Sequence, residues 1–113
     1  MEFDEVIYSR RTCRDYKSKD LPMEKVAEVL EVARFAPSSA NIQNWQFIIV
    51  RNQNKREKIS DICKEQAWMA DAPAHIVICN KKEEVEKDFE EKGERYSIQN
   101  CAIIAENIIL KAN

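Results

Sequence analysis

The segment that decides the fold of this 113-residue chain reads Ala36-Pro37-Ser38-Ser39-Ala40-Asn41-Ile42-Gln43-Asn44-Trp45. Its proline ends the helical pattern that precedes it, because proline lacks a backbone N–H and clashes with the previous helical turn. Trp45 then opens a run of aromatic and β-branched residues that extends to Val50 and has the length of a buried strand. The segment is therefore a polar loop between a helix and a strand.

The amide and hydroxyl side chains of this loop are chemically suited to hold a ligand. Asn41 and Gln43 can each donate and accept hydrogen bonds, which matches the alternating carbonyl and N–H edge of a flavin or purine ring. Ser38 and Ser39 complement ribityl hydroxyls or phosphate. The alternative is a turn whose residues serve backbone geometry, since Ser and Asn are common turn formers. The loop residues leave both interpretations open.

Hydrophobic periodicity predicts the elements on either side of the loop. The pattern indicates a short helix over 3–8, an irregular arm over 9–19, a helix over 22–35, a strand over 45–50, a helix over 55–69 and a strand over 74–79. Residues 81–94 are dense in charge and predict a solvated helix or a mobile excursion. A final helix over 96–113 carries the apolar positions Ile98, Cys101, Ala102, Ala105, Ile108, Ile109 and Ala112, which must pack on something.

These elements predict an α+β fold, in which helices surround a small, mainly antiparallel sheet. We expect residues 1–113 to form a single domain. The last helix is followed by neither a glycine turn nor a further strand, and two strands alone would leave exposed edges. We therefore expect the domain to be incomplete, with its C-terminal part missing.

Composition excludes several classes of function. The formal net charge of -2 gives no overall attraction to nucleic acid or to an anionic membrane, and no apolar run reaches the roughly 20 residues of a spanning helix. The N-terminus is acidic where a signal peptide would be basic and then apolar. We expect a cytoplasmic protein that binds neither nucleic acid nor membrane.

Cysteine, glycine and histidine are few in this chain, and their positions restrict the kinds of site that it can form. The four cysteines contain no C-x-x-C, so they predict scattered buried thiols and no zinc site. Gly93 is the only glycine, which excludes a P-loop and the G-x-G-x-x-G fingerprint, so a bound phosphate would need side chains. His75 is the only histidine, and we expect it to be structural because no acid–base partner is near it in sequence.

An arginine-rich arm, residues 9–14, is the second candidate for ligand binding. Arg10, Arg11 and Arg14 can donate paired hydrogen bonds to phosphate oxygens, and Thr12 adds a hydroxyl. The alternative is a solvated basic patch that pairs with acidic neighbours such as Asp15. The local sequence alone favours this second interpretation.

Taken together, the two clusters resemble the nitroreductase family of flavoproteins. Members typically carry an R-R-S-x-R-like arm, then a helix, then A-P-S-x-x-N-x-Q-P-W before a strand, and later an A-P before the next strand. The corresponding segments are 10–14, 36–45 and Ala72-Pro73. The stretch Glu106-Asn107-Ile108-Ile109-Leu110-Lys111-Ala112 is similar to the family's core helix. The resemblance covers nearly the whole chain apart from residues 81–94.

The resemblance implies an FMN-dependent oxidoreductase that takes hydride from NAD(P)H and reduces a nitroaromatic, a quinone or a similar small acceptor. It implies a homodimer with flavin at the interface and no catalytic side chain, because the flavin performs the chemistry. One subunit would hold FMN through Arg10, Arg11, Thr12 and Arg14, and the other would reach it through Pro37, Ser38, Ser39 and Asn41. Gln66 is a weaker candidate for the same site.

Two departures from the family pattern bear on the site. Thr12 replaces the usual serine but keeps the hydroxyl, and Asn44 replaces the usual proline, which should loosen the loop. Two other functions remain as alternatives. One is a truncated or degenerate flavin-binding module without turnover, and the other is a small nucleic-acid-binding domain that uses the arm. The acidic balance of the chain disfavours the latter.

Overall fold

The structure is a computed structural model that describes residues 1–113, apart from the side chains of Glu86 and Asp88. The helices and strands are α1 (Phe3–Ser9), α2 (Met23–Ala33), β1 (Trp45–Val50), α3 (Gln53–Ile62), β2 (His75–Asn80), α4 (Lys82–Phe89) and α5 (Gly93–Ala112). Short 3-10 turns lie at Ser39–Asn41, Ala67–Asp71 and Glu90–Lys92. This order confirms the predicted α+β fold.

The two strands form an antiparallel sheet. Trp45 lies opposite Asn80, and Val50 lies opposite His75. Both strands are rich in isoleucine and valine, whose branched side chains suit a pleated, half-buried surface. The small antiparallel sheet is therefore confirmed, and β2 begins one residue later than the sequence predicted.

A small core joins α2 to α5. Ala33 and Ala36, at the end of α2, are buried against Ile104 of α5. Partly buried side chains of the sheet and of α5 pack around them, namely Trp45, Phe47, Ile78 and Ile108. The small alanines let the two helices approach closely, so the loop that follows Ala36 starts from a fixed point.

The charged segment after β2 is helical. Of the two predicted alternatives, the helix is confirmed, because α4 spans Lys82–Phe89. Val85 is fully buried while Lys82, Glu83 and Glu84 are exposed. Val85 and Phe89, whose ring packs edge-on against Tyr96 with centroids 4.7 Å apart, thus anchor this otherwise charged helix. The next helix, α5, begins at Gly93, three residues before the predicted start.

The prediction that α3 extends to residue 69 is wrong, because the helix ends at Ile62. Lys64 and Glu65 adopt left-handed backbone with φ of 60° and 55°, which ends the helical path. The Ser60 hydroxyl donates to the Gln66 carbonyl, and the Gln66 side-chain amide donates to the Cys63 carbonyl at 2.7 Å. These side chains satisfy carbonyl groups at the helix end in place of a glycine turn.

Arg56 ties α3 to the segment that leads into β2. Its guanidinium donates to the carbonyl oxygens of Arg51 at 3.0 Å and Ala70 at 2.6 Å, and also to that of Ala72. His75 donates from Nε2 to the Met69 carbonyl at 2.6 Å, which fits the expected structural role of this histidine. Together these contacts fix the start of β2.

The four cysteines are free thiols. Cys63, Cys79 and Cys101 are partly buried, but Cys13 is exposed. The expectation that all four lie buried is therefore wrong for Cys13, because the arm that carries it runs along the surface. Across the described residues, no helix is long and apolar enough to span a membrane.

Candidate functional site

The arginine-rich arm forms one wall of a depression beside the C-terminal end of α5. Arg10, Arg11 and Thr12 lie on one side of it. The opposite wall comes from Ile109, Ala112 and Asn113, and the cavity has a volume of about 510 Å³. Asn113 also donates from Nδ2 to Ser9 Oγ at 2.8 Å, which ties α5 to the end of α1. The structure thus brings three of the four predicted arm residues together.

The arginines of the arm differ in their contacts. Arg11 donates from Nη1 to the carbonyl oxygens of Tyr8 and Arg10, each at 2.8 Å, so part of its guanidinium stabilises the turn out of α1. The guanidinium carbon of Arg14 lies 5.8 Å from the centre of the Trp68 ring. Arg14 therefore contacts the 3-10 turn before β2, while Arg10 and Arg11 line the depression.

Tyr16 stabilises the course of the arm. Its ring stacks on Trp68 with centroids 6.2 Å apart, and its hydroxyl donates to the Cys13 carbonyl at 3.1 Å. Burial raises the pKa of Tyr16 above its ordinary value, and Cys13 adds to the rise, while Arg14 opposes it. Trp68 thus serves as a platform for the arm, through aromatic stacking and a cation–π contact.

The loop from 38 to 44 has an unusual backbone. Ala40, Asn41 and Gln43 are left-handed, with φ of 50°, 53° and 51°. Such conformations cost free energy in residues with a Cβ, persist only where the surroundings enforce them, and cluster at ligand sites. Ser38 Oγ accepts a hydrogen bond from the backbone N–H of Gln43 at 3.0 Å, which closes the loop on itself.

Asn44 anchors this loop, so the expectation that it loosens the loop is wrong. Its side chain is 2% exposed. The Asn44 amide donates to the Lys81 carbonyl at 3.2 Å and to Ser97 Oγ at 3.4 Å, and its Oδ1 accepts from Asn100 Nδ2 at 3.2 Å. These hydrogen bonds of the buried Asn44 side chain hold the loop to α5. Proline has no side-chain amide and could not form them.

The other predicted ligand-binding residues differ in their exposure and their contacts. Ser39 is partly buried, and its backbone N–H and hydroxyl both donate to Asn100 Oδ1, at 3.1 and 3.2 Å. Pro37 and Asn41 are exposed and open to a ligand. Gln66 lies at the end of α3, where its amide caps the Cys63 carbonyl. Gln66 thus has a structural contact where the sequence predicted a ligand contact.

The arm and the loop meet α5 at different levels. The loop is held at Asn100, whereas the arm faces Ile109 and the residues after it. At about 1.5 Å per residue, these positions are roughly 13 Å apart along the helix axis. Within the described part of the chain, no group of three His, Cys, Asp or Glu side chains is placed to hold a metal ion.

Comparison with known proteins decides the family. Residues 7–68, more than half of the chain, match the nitroreductase family. The chain belongs to the nitroreductase family. A Methanothermobacter thermautotrophicus protein, provisionally named NADH dehydrogenase/NAD(P)H nitroreductase, is 33% identical over 113 residues, which is 100% of this chain and 56% of that protein. The FMN reductase (NAD(P)H) of Bacillus subtilis is 32% identical over 67% of this chain and 32% of its own length.

Solved structures of the nitroreductase family have the same fold. The FMN-dependent nitroreductase of Clostridium difficile superposes with a TM-score of 0.82 at 29% identity, over 97% of this chain and 60% of that one. The chain therefore spans about half the length of the relatives that it matches most fully.

Two site residues of this nitroreductase-family chain were missed by sequence reasoning. Asn100 and Ser97 are 1% and 2% exposed on α5. Gly93, Ser97, Asn100 and Ile104 repeat at four, three and four, and they form the buried face of the helix. The apolar pattern that predicted this helix lies mainly on other faces, with Ile108 as the exception, so polar residues at regular helical spacing were the overlooked signal.

Proposed function

We propose that this chain forms the flavin-binding part of an FMN-dependent NAD(P)H oxidoreductase. The observation that carries the proposal is the depression in which Arg10, Arg11 and Thr12 face the end of α5. Bound FMN would supply the redox chemistry, accepting hydride from NAD(P)H and passing electrons to a nitroaromatic, a quinone or a similar acceptor. The relatives whose names contain FMN and NAD(P)H support this cofactor and this reductant.

The donor set of the arm fits the phosphate of FMN. Two guanidinium groups and one hydroxyl line the same depression, and a guanidinium donates to phosphate oxygens in pairs. Arg14, over the ring of Trp68, would add positive charge to the same arm. These residues bind and orient, and none of them needs to exchange a proton with a substrate.

The loop would contribute to the same kind of site from a second subunit. In the homodimer that the family resemblance implies, each flavin would lie between the arm of one protomer and the loop of its partner. Pro37, Ser38, Ser39 and Asn41 would then face the flavin, whereas the cap formed by Gln66 argues for a structural role of that residue. The loop's own hydrogen bonds would keep its donors in place before the ligand arrives.

The proposal includes one domain and a cytoplasmic location. The single core formed by α2, α5 and the sheet supports one domain over residues 1–113. The four free thiols support a reducing compartment. The electron acceptor would be a small molecule. It would bind at the open face of the flavin alternately with NAD(P)H.

A flavin titration with matched arginine variants tests the proposal. FMN fluorescence should be quenched on binding to the wild-type chain, and Arg10→Gln with Arg11→Gln should weaken binding by about a hundredfold or more, because it removes two charge-assisted contacts of about 1.5 kcal/mol or more each. The control, Arg51→Gln with Arg95→Gln, removes the same charge from exposed positions elsewhere. It should bind FMN as the wild type does.

Anaerobic NADH or NADPH then separates an enzyme from a binding module. Bleaching of the bound flavin in visible absorbance supports hydride transfer. Binding without bleaching by either nucleotide favours a module without turnover. Absence of FMN binding, or equal losses in the two double variants, contradicts the assignment of the arm.

A further inference from the structure

A buried hydrogen-bond network lies beneath the loop and centres on Asn100. This side chain is 1% exposed, and it is the point where α5 contacts both ends of the loop. Asn100 Oδ1 accepts from the Ser39 N–H at 3.1 Å and from the Ser39 hydroxyl at 3.2 Å. Asn100 Nδ2 donates to Asn44 Oδ1 at 3.2 Å. One amide thus holds the first turn of the loop and its last residue.

We infer that Asn100 is a positioning residue that holds the loop from 38 to 44 in the conformation required for flavin binding. This role rests on the proposed flavin function. Asn100 is buried and acts through Ser39 and Asn44, so its own contact with the ligand is not required. Asn100 lies outside both the arm and the loop, so it would be an additional residue on which flavin binding depends.

The backbone of the loop shows why hydrogen bonds from outside are needed to hold it. Ala40, Asn41 and Gln43 are left-handed without being glycine, so the loop alone would favour other conformations. Both ends must be held for the strained middle to persist. The Lys81 backbone supplies a second tie, since its N–H donates to the Asn44 carbonyl at 2.8 Å and its carbonyl accepts from the Asn44 amide.

The network also sets the chemistry that Ser39 can offer. Because the Ser39 hydroxyl donates its hydrogen to Asn100, only its oxygen lone pairs remain for a ligand. Ser39 is therefore an acceptor, and the group opposite it on the flavin must be an N–H or O–H donor. Without Asn100, this hydroxyl could rotate and donate elsewhere.

Two substitutions at Asn100 and one control separate positioning from stability. Asn100→Leu removes both halves of the amide at similar size. Asn100→Asp keeps an acceptor for Ser39, but it replaces the donor to Asn44 with a second acceptor and places a carboxylate in a buried position. Val85→Ala truncates a fully buried side chain on α4 that takes no part in the hydrogen bonds of Asn100, Ser39 and Asn44, so it serves as the control for a general loss of stability.

The full 113-residue chain is measured in two ways for each variant. Amide hydrogen exchange by NMR, without flavin, follows the Ser39 N–H, and quenching of FMN fluorescence gives the dissociation constant. Asn100→Leu should speed exchange at Ser39 and weaken FMN binding by about tenfold or more, since tenfold corresponds to the loss of one net hydrogen bond. Val85→Ala should stay within about threefold of wild type in both measurements, and Asn100→Asp should fall between wild type and Asn100→Leu, because it keeps an acceptor for Ser39 but loses the contact with Asn44.

The outcomes are distinguishable. If wild type binds FMN and Asn100→Leu binds it equally well, the positioning role is wrong and the proposed function stands. The role is also wrong if Val85→Ala loses as much affinity as Asn100→Leu, because the effect would then follow stability alone. If the wild-type chain binds no FMN, the proposed function fails and the positioning role fails with it.

Discussion

At the scale of single residues, buried polar side chains determine the shape of the candidate site. Asn44, Ser97 and Asn100 are almost completely buried, yet each has hydrogen-bond partners inside the chain. A buried amide with partners contributes modestly to stability, but the loss of one member leaves the others unpaired at a larger cost. Substitutions in this network should therefore have effects far above those on the surface.

Asn44→Ala should lower the free energy of unfolding by about 1–3 kcal/mol, because Asn100 Nδ2 and the Lys81 carbonyl lose a partner in a buried place. Urea denaturation measures this change. The matched control is Gln46→Ala, an exposed position two residues further along the chain on β1, which should stay within about 0.5 kcal/mol of wild type. Equal effects of the two substitutions would contradict a structural role for the Asn44 amide.

Tyr16 reports on the arm through its titration. Arg14 lowers the pKa of Tyr16, because a positive charge favours the phenolate. Burial has the larger, opposite effect, so the pKa of Tyr16 is raised overall. Arg14→Gln should therefore raise the pKa of Tyr16, as followed by the ring signals of Tyr16 in an NMR titration. Arg34→Gln removes the same charge from α2 and should leave the titration unchanged. A lower pKa in Arg14→Gln would mean that Arg14 does not face Tyr16.

At the scale of elements, sequence patterns located the strands and the long helices but not every helix end. The strand over 45–50 was predicted to the residue, because its apolar run is bounded by the loop and by Asn52. The end of α3 was missed, because neither a glycine nor a proline follows Ile62 before Gln66. Contacts of Ser60 and Gln66 end that helix, and such contacts are invisible to periodicity.

The candidate site was predictable to a similar extent. The arm and the loop could be found because arginines and amides are clustered in sequence. The network beneath the loop could not, because Asn100 is separated from Ser39 by 61 positions and pairs with it only after α5 packs on α2. Long-range hydrogen bonds of this kind require the fold before they can be assigned.

The start of α3 provides a prediction at this scale. Asn52 caps the helix, since its side chain accepts from the Lys55 amide at 3.0 Å. Asn52→Ala should therefore cost about 1 kcal/mol of stability in urea denaturation. Asn54→Ala is the matched control, because Asn54 lies inside the first turn and alanine has the higher helix propensity. A loss of similar size from Asn54→Ala would argue against the cap.

At the scale of the whole molecule, the fold leaves an apolar surface on α5. The exposed face carries Ile98, Ala102 and Ile109, with Ala105 partly buried beside them, at helical spacing of four, three and four. Ile98 is 63% exposed. Helical spacing predicted that these residues pack on something, and in the described structure this face is largely exposed. A second copy of the chain, as the proposed homodimer requires, would cover it.

Ile98→Glu tests whether the homodimer forms through this face. Burying an unpaired charge in an interface costs about 3 kcal/mol or more, so the dimer should weaken by roughly a hundredfold or more. In sedimentation velocity the wild type should form a dimer, whereas Ile98→Glu should sediment as the 13.2 kDa monomer. Circular dichroism should show unchanged helix content, since Ile98 is not part of the core.

Gln99→Glu is the control for that experiment, because it adds the same charge at the next exposed position on α5, away from the apolar stripe. It should remain dimeric. A folded Ile98→Glu protein that is still dimeric would place the interface on another surface, and a monomeric wild type would contradict the homodimer itself. If the flavin lies between protomers, the monomeric variant should also lose FMN binding, because the arm would then face the ligand without the partner's loop.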